Sequence, residues 1–291
     1  NKKFFSKLSN IDFFDVLEKQ FLWKSDFICK NRWIGFIHCT PKTPSYLNDL
    51  NIEKMINNLN FIKSLNTCVF LITLSPYITN YLEKKLNLEK NLNIKIHTLF
   101  HPVISDNIPM FQLSNYLDNE EKYIIQIGQQ LRKLSTIYFI KNDNYKKLWL
   151  TGCKDFSKME SLRDQEIDYF SLNAEEMNEV KMYYTKTFEE YDLLLSKNIV
   201  IVNLFDAAAN NTILECLVRN TPMIVNRIEG VIDYLGDDYP LYFENLDEIN
   251  SLLDVRKIKE AHLYLKKMDK KKFKIEMFTT KLFDLVNHHF M

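Results

Sequence analysis

Glycine is scarce, with five residues in a chain of 291. Gly35, Gly128, Gly152, Gly230 and Gly236 are never spaced as G-x-G-x-x-G, and none precedes a lysine. A dinucleotide fingerprint and a P-loop are therefore excluded, because both need clustered glycines to wrap a backbone round phosphates. No two aspartates are separated by a single residue, so the D-x-D pattern that holds a metal–nucleotide pair is missing as well. The five cysteines (Cys29, Cys39, Cys68, Cys153, Cys216) are scattered and odd in number, without C-x-x-C. They read as free thiols of a reducing compartment, and the expected location is cytoplasmic. His97, His101, His262, His288 and His289 have no ligand-like spacing, so no metal is expected. No apolar run approaches the roughly 18 residues of a membrane span, and no secretory leader pattern opens the chain. The first residue is Asn1, so the numbering is expected to begin inside a longer gene product. Neither sign of charge is in excess, with 38 basic and 38 acidic residues, which argues against broad binding to nucleic acid or anionic membrane.

What is present is an alternation of short β-rich runs with amphipathic stretches. Expected strands are Ile34–His38, Thr67–Leu74, Ile94–Leu99, Tyr123–Ile127, Lys147–Leu150, Val180–Tyr184, Ile199–Leu204 and Met223–Asn226. Expected helices are Asp49–Leu59, Pro76–Leu86, one opened by the Thr187/Glu190 capping box, Thr212–Arg219, Asn245–Leu253, Arg256–Met268 and Lys272–His289. The run IVIVNL is continuous and β-branched, as suits a strand covered on both faces. Strands alternating with helices give an α/β class with mostly parallel sheets. The rhythm breaks between Phe100 and Glu121, around Pro102 and Pro109. The expected division is residues 1–115, residues 116–271 and a C-terminal helix, 272–291, packing back on the first part.

Ligands in such folds bind beyond the carboxyl ends of strands, so the residues that follow each strand are the candidates. After Tyr123–Ile127 come Gly128 and the adjacent cations Arg132 and Lys133, a candidate polyphosphate clamp or else a solvated basic turn. After IVIVNL come Asp206, three alanines ending at Ala209, then Asn210, Asn211 and Thr212 opening a helix, with Glu215 about one turn in. The helix start offers free N–H groups to phosphate, and Glu215 could accept bonds from a ribose. An ordinary Asn cap is the other reading. After Met223–Asn226 come Glu229 and Gly230, a second possible place of backbone approach. In the first half, His38 ends the run WIGFIH and lies on the ligand edge.

In this order the features resemble a GT-B glycosyltransferase, most nearly the family-four-like group. Ile199–Phe243 resembles the donor-binding half, with Leu214-Glu215-Cys216 matching the L-E-A part of the family motif. Asn220–Ile224 matches the segment that enters the next strand. Tyr123–Lys133 resembles the first strand and loop of that half. The resemblance implies two Rossmann-like domains facing across a cleft. It implies donor diphosphate on Arg132 and Lys133, ribose on Glu215, and sugar and phosphate along Ala209–Thr212. It makes His38 a sugar-pocket residue. The first glutamate of the family motif is Ala207 here, with Asp206 beside it.

The reaction so implied is sugar transfer from a UDP- or GDP-linked sugar to a hydroxyl of a glycan or other acceptor, without cofactor or metal and with retention. An inverting enzyme would need a base, for which Asp12, Asp15 and His38 are the first-half candidates. Arg132, Lys133 and the helix start would stabilise the leaving diphosphate. A sugar-nucleotide epimerase or hydrolase of the same fold, and a non-catalytic nucleotide-binding module, are the alternatives.

Overall fold

The computed structural model describes residues 11–24 and 26–290. Residues 1–10 of the expected first part and Met291 of the last helix lie outside the described residues. The chain forms two compact units. One comprises Asn1–Pro102, Asp206–Ala209 and Lys271–Met291, and the other Val103–Phe205 and Asn210–Lys270. Residues 103–115, assigned by sequence to the first part, cluster with the second unit.

The first unit holds a parallel four-stranded sheet in the order β1 (Ile11–Phe14), β2 (Arg32–Ile37), β3 (Cys68–Thr73), β4 (Ile96–Thr98). Alternation along β2 sends Trp33 and Ile37 to one face and Ile34 and Phe36 to the other, so both faces are apolar. The first face packs under helices that contribute Ile52, Met55, Ile56, Phe61, Ile78 and Leu82. On the second face Val286, Phe278 and Leu282 of the helix Ile275–Phe290 meet Ile34, Phe36, Phe70 and Ile72.

Two features of this unit differ from the sequence reading. The helix expected over Asp49–Leu59 is broken into a 3-10 turn, Ser45–Leu50, and two short helices, Ile52–Ile56 and Leu59–Ser64. Asn51 and Asn58 cause the breaks, because their side chains accept from Glu53 N and from Asn60 and Phe61 N and restart the helix each time. Strand β1 and the one-turn helix Glu18–Phe21 were not expected at all. They sit against β2 at Gly35, where a Cβ would lie 2.6 Å from Leu17 carbons. The missing side chain lets the Leu17–Glu18 backbone reach β2, and Leu17 N donates to Phe36 O at 3.0 Å.

The second unit holds six parallel strands: β5 (Tyr123–Ile127), β6 (Lys146–Leu150), β7 (Lys181–Tyr183), β8 (Ile199–Val202), β9 (Met223–Asn226) and β10 (Tyr242–Phe243). Their order is β10-β9-β8-β5-β6-β7. Counted within the unit, this is the doubly wound order 3-2-1-4-5-6, and the winding reverses between β5 and β8. The helix Phe156–Phe170 between β6 and β7 has no counterpart in the sequence reading. Its buried residues are Met159, Glu166 and Ile167, so a carboxylate interrupts the apolar stripe that would announce it. The Thr187 box does cap its helix, Phe188–Lys197, with Thr187 accepting from Glu190 N. Glu190 returns its bond to Lys186 N, not to Thr187 N. The helix expected from Asn245 starts as a 3-10 turn, Leu246–Glu248, and Asn245 donates to Glu248 instead of capping it. The class is α/β, with parallel sheets throughout the described residues. No helix among the described residues is long and apolar enough to cross a membrane.

Candidate functional site

The winding of the second sheet reverses between β5 and β8, and a crevice for ligands opens beyond the carboxyl ends of strands at such a reversal. The two loops that leave these strands are zipped together there. Lys133 N donates to Asn203 O at 2.8 Å, and Phe205 N to Leu131 O at 3.0 Å. Glu166 braces the first loop by accepting from Leu134 N at 2.6 Å and Ser135 N at 3.1 Å. Gly128 turns the chain out of β5 with φ +74°, a conformation that side chains rarely adopt.

Arg132 lies across this junction. Its Nε donates to Ile127 O at 2.7 Å and its Nη1 to Gln130 O at 2.7 Å. Its Nη2 donates to Thr212 Oγ1 at 2.8 Å and reaches Asn210 Oδ1 at 3.4 Å. Asn210 caps the helix Asn211–Arg219 by accepting from Ile213 N at 3.2 Å. A guanidinium therefore sits at the positive end of a helix dipole, held only by neutral oxygens, with no carboxylate in ion-pair contact among the described residues. Burial pushes it down to about 10, against weaker support from Tyr191 and Glu215. Two positive sources point at one place, with Glu215 acting on the guanidinium only through space, which makes this a candidate anion site.

The other second-unit candidates have distinct settings. Lys133 is half-buried, with its ammonium 5.7 Å from the Phe205 ring centroid. The ammonium has no hydrogen-bond or ion-pair partner among the described residues, and burial lowers its pKa. Asn211 is exposed at the helix start. Glu215 is half-buried and accepts from the Tyr191 hydroxyl, a partner the sequence did not indicate. Burial raises its pKa, with Arg219 and Arg132 pulling the other way. Arg219 is held by Asp192, its Nε donating to Oδ1 at 3.1 Å. Glu229 and Gly230 form the first turn of the helix Glu229–Leu235 after β9, and Gly230 is buried with an ordinary φ.

The remaining candidates belong to the first unit. Asp206 is 2% exposed, and its carboxylate accepts from Lys42 N at 2.8 Å, the Tyr77 hydroxyl at 3.1 Å and Ala207 N at 3.0 Å. Burial raises its pKa. Ala209 packs on the cluster of Ile34, Phe36 and Val286. His38 follows β2 directly, its imidazole partly exposed, with Nδ1 3.6 Å from Glu18 Oε2. Asp12 accepts from Asn31 Nδ2 at 3.2 Å. No group of three or more His, Cys, Asp or Glu residues among the described residues could hold a metal ion.

No protein-family model matches the sequence, and comparison with curated proteins gives no match. Solved structures do match. The chain is similar to sucrose-phosphate synthase from Thermosynechococcus elongatus, with TM-score 0.67 and 11% identity over 99% of this chain and 76% of that one. It is similar to a UDP-forming α,α-trehalose-phosphate synthase from Burkholderia vietnamiensis, with TM-score 0.58 and 10% identity over 89% and 68%. The Burkholderia xenovorans enzyme of that name, in complex with glucose-6-phosphate, gives TM-score 0.59 and 11% identity over 89% and 68%. The fold is GT-B. At such identities the GT-B likeness concerns the path of the chain, and the chemistry has to be argued from the side chains.

Proposed function

We propose that the protein is a glycosyltransferase that takes a sugar from a nucleoside-diphosphate sugar and places it on an acceptor hydroxyl. The observation that carries this reading is Arg132, a guanidinium without a carboxylate partner at the start of the Asn211–Arg219 helix, beside the reversal of the sheet. A diphosphate leaving group gains negative charge as the sugar bond breaks. Arg132, Lys133 and the free N–H groups of that helix would stabilise it, while Glu215 would take the ribose hydroxyls through the carboxylate oxygen that Tyr191 leaves open. His38 would meet the sugar or the acceptor, Ala209 and Asn210 would lie along the donor, and no metal is assigned a role. The donor-binding domain in this reading, expected over residues 116–271, is the second unit, Val103–Phe205 and Asn210–Lys270. A uridine donor is favoured, because the similar Burkholderia enzymes are named as UDP-forming. Those names also make a sugar phosphate a reasonable acceptor to try beside glycans.

A second reading has one observation behind it. Ala207 is buried where the family motif has a glutamate, and the neighbouring Asp206 spends its carboxylate on Lys42, Tyr77 and Ala207. A nucleotide-binding module without turnover would look like this. The experiment is a thermal-shift panel of UDP- and GDP-sugars, followed by product analysis with and without acceptors. A bound ligand raises stability by about 2.7 kcal/mol at a hundredfold excess over Kd. Binding with transfer supports the enzyme, binding without any turnover supports the module, and no binding by any nucleotide sugar removes both.

A further inference from the structure

Glu18 lies in a one-turn helix that the sequence did not announce, and it is 2% exposed. Its carboxylate is divided between two tasks. Oε1 accepts from the backbone N–H groups of His38 at 2.5 Å and Cys39 at 2.6 Å, which fixes the chain as it leaves β2. Oε2 faces His38 Nδ1 at 3.6 Å, and neither of these two buried atoms has another partner. Burial alone would raise this carboxyl, but the imidazole and the backbone donors outweigh it and hold the group below its ordinary value of 4.5, so it is ionised at neutral pH. An ionised oxygen can only accept a proton bond. The imidazole nitrogen that faces it must then carry a hydrogen, and whenever the ring is neutral the other nitrogen holds the lone pair.

We infer that Glu18 is a positioning residue that holds His38 as the Nδ1–H tautomer, so that Nε2 is presented as a proton acceptor to a hydroxyl of the substrate. The carbohydrate chemistry follows from this arrangement. A sugar hydroxyl can give its proton to that nitrogen, whereas an Nε2–H tautomer could only donate to the hydroxyl oxygen and could not take the proton. The inference rests on the proposed transferase for the identity of that hydroxyl. The tautomer itself depends on Glu18 alone. Gly35 belongs to the same device, since the space it leaves brings Leu17 and Glu18 down onto β2.

Glu18→Gln is the discriminating variant. The amide oxygen can keep the two backbone bonds now made to Oε1, while the amide nitrogen takes the place of Oε2. An acceptor becomes a donor, and the opposite tautomer of His38 is then favoured. The first measurement is the protonation of the His38 ring nitrogens by 15N NMR on the neutral form of the ring, reached by raising the pH until its titration is complete, which needs no substrate. The expected result is a proton on Nδ1 and none on Nε2 in the unaltered protein, reversed in Glu18→Gln. A proton on Nε2 and none on Nδ1 in the neutral ring of the unaltered protein overturns the inference whatever the reaction proves to be. The second measurement is a double-mutant cycle on turnover. Glu18→Gln is expected to lower kcat by at least about tenfold with the donor KM unchanged, and to have no further effect in a His38→Ala background. An equal loss in both backgrounds makes Glu18 a purely structural residue and overturns the inference. Correct tautomers without transfer would sink the proposed reaction and leave the placement of the proton standing.

Discussion

Replacing Arg132 by methionine separates a binding residue from a structural clamp. Methionine keeps most of the apolar stem and removes the charged fork. Three bonds between 2.7 and 2.8 Å, to Ile127 O, Gln130 O and Thr212 Oγ1, are lost from the folded protein. Against that loss stand two gains. The lowering of the guanidinium to about 10 corresponds to about 3 kcal/mol of unfavourable charge burial. A cation at the positive end of a helix dipole costs roughly 0.3–1 kcal/mol more. At about 1.5–3 kcal/mol for each bond to a charged group the loss outweighs these gains, so the ligand-free variant should fall about 1–5 kcal/mol below the parent in urea unfolding. The bound state has no such compensation. Losing charge-assisted hydrogen bonds to a diphosphate costs about 1.5–3 kcal/mol, which is about 10- to 150-fold in Kd for the nucleotide by calorimetry. An unchanged Kd, whatever the loss of stability, would make Arg132 a structural clamp and refute the reasoning.

Further outcomes follow from neighbouring residues. Gly128→Ala forces a side chain into φ +74° and puts its Cβ 3.3 Å from Arg132 Cζ. It should cost about 1–2 kcal/mol in chemical denaturation and weaken nucleotide binding along with it. Gly35→Ala drives a Cβ to 2.6 Å from the fully buried Leu17 side chain, so a loss of about 1–3 kcal/mol is expected in the same assay. Glu18 has a folded-state pKa below 4.5, so its ionised form contributes stability above that pH, which is lost as pH falls below it. Urea midpoints measured between pH 6 and about 3 should fall less steeply for Glu18→Gln than for the parent. Glu215→Ala should raise the Kd for nucleoside diphosphates more than for inorganic pyrophosphate, and calorimetry with both ligands checks it.

The sheet of the second unit was legible because its strands are short, continuous and β-branched. Tyr123–Ile127 and Met223–Asn226 coincide with β5 and β9 residue for residue. The helix Phe156–Phe170 was hidden by Glu166, a carboxylate buried to brace a loop where periodicity expects an apolar side chain. The 49–59 stretch misled for another reason, since asparagine side chains compete locally for backbone N–H groups and divided one apolar pattern into pieces. The strand-end rule brought attention to Arg132 and Thr212, whose side chains meet at 2.8 Å. It could not separate Arg132 from Lys133, because adjacent residues point apart, one to the helix start and the other toward Phe205. Nor could it find Glu18, which meets His38 only through the fold, with Gly35 as the single local signal of a close approach.

The central claim is that a nucleoside diphosphate seats itself at the reversal of the second sheet. Amide chemical shifts recorded while UDP is added test it most directly. The account predicts saturable shifts concentrated at Gly128, Asn211, Thr212 and Ile213, abolished by Arg132→Met. Saturable shifts confined to other parts of the chain, or none at millimolar UDP and GDP, would contradict it.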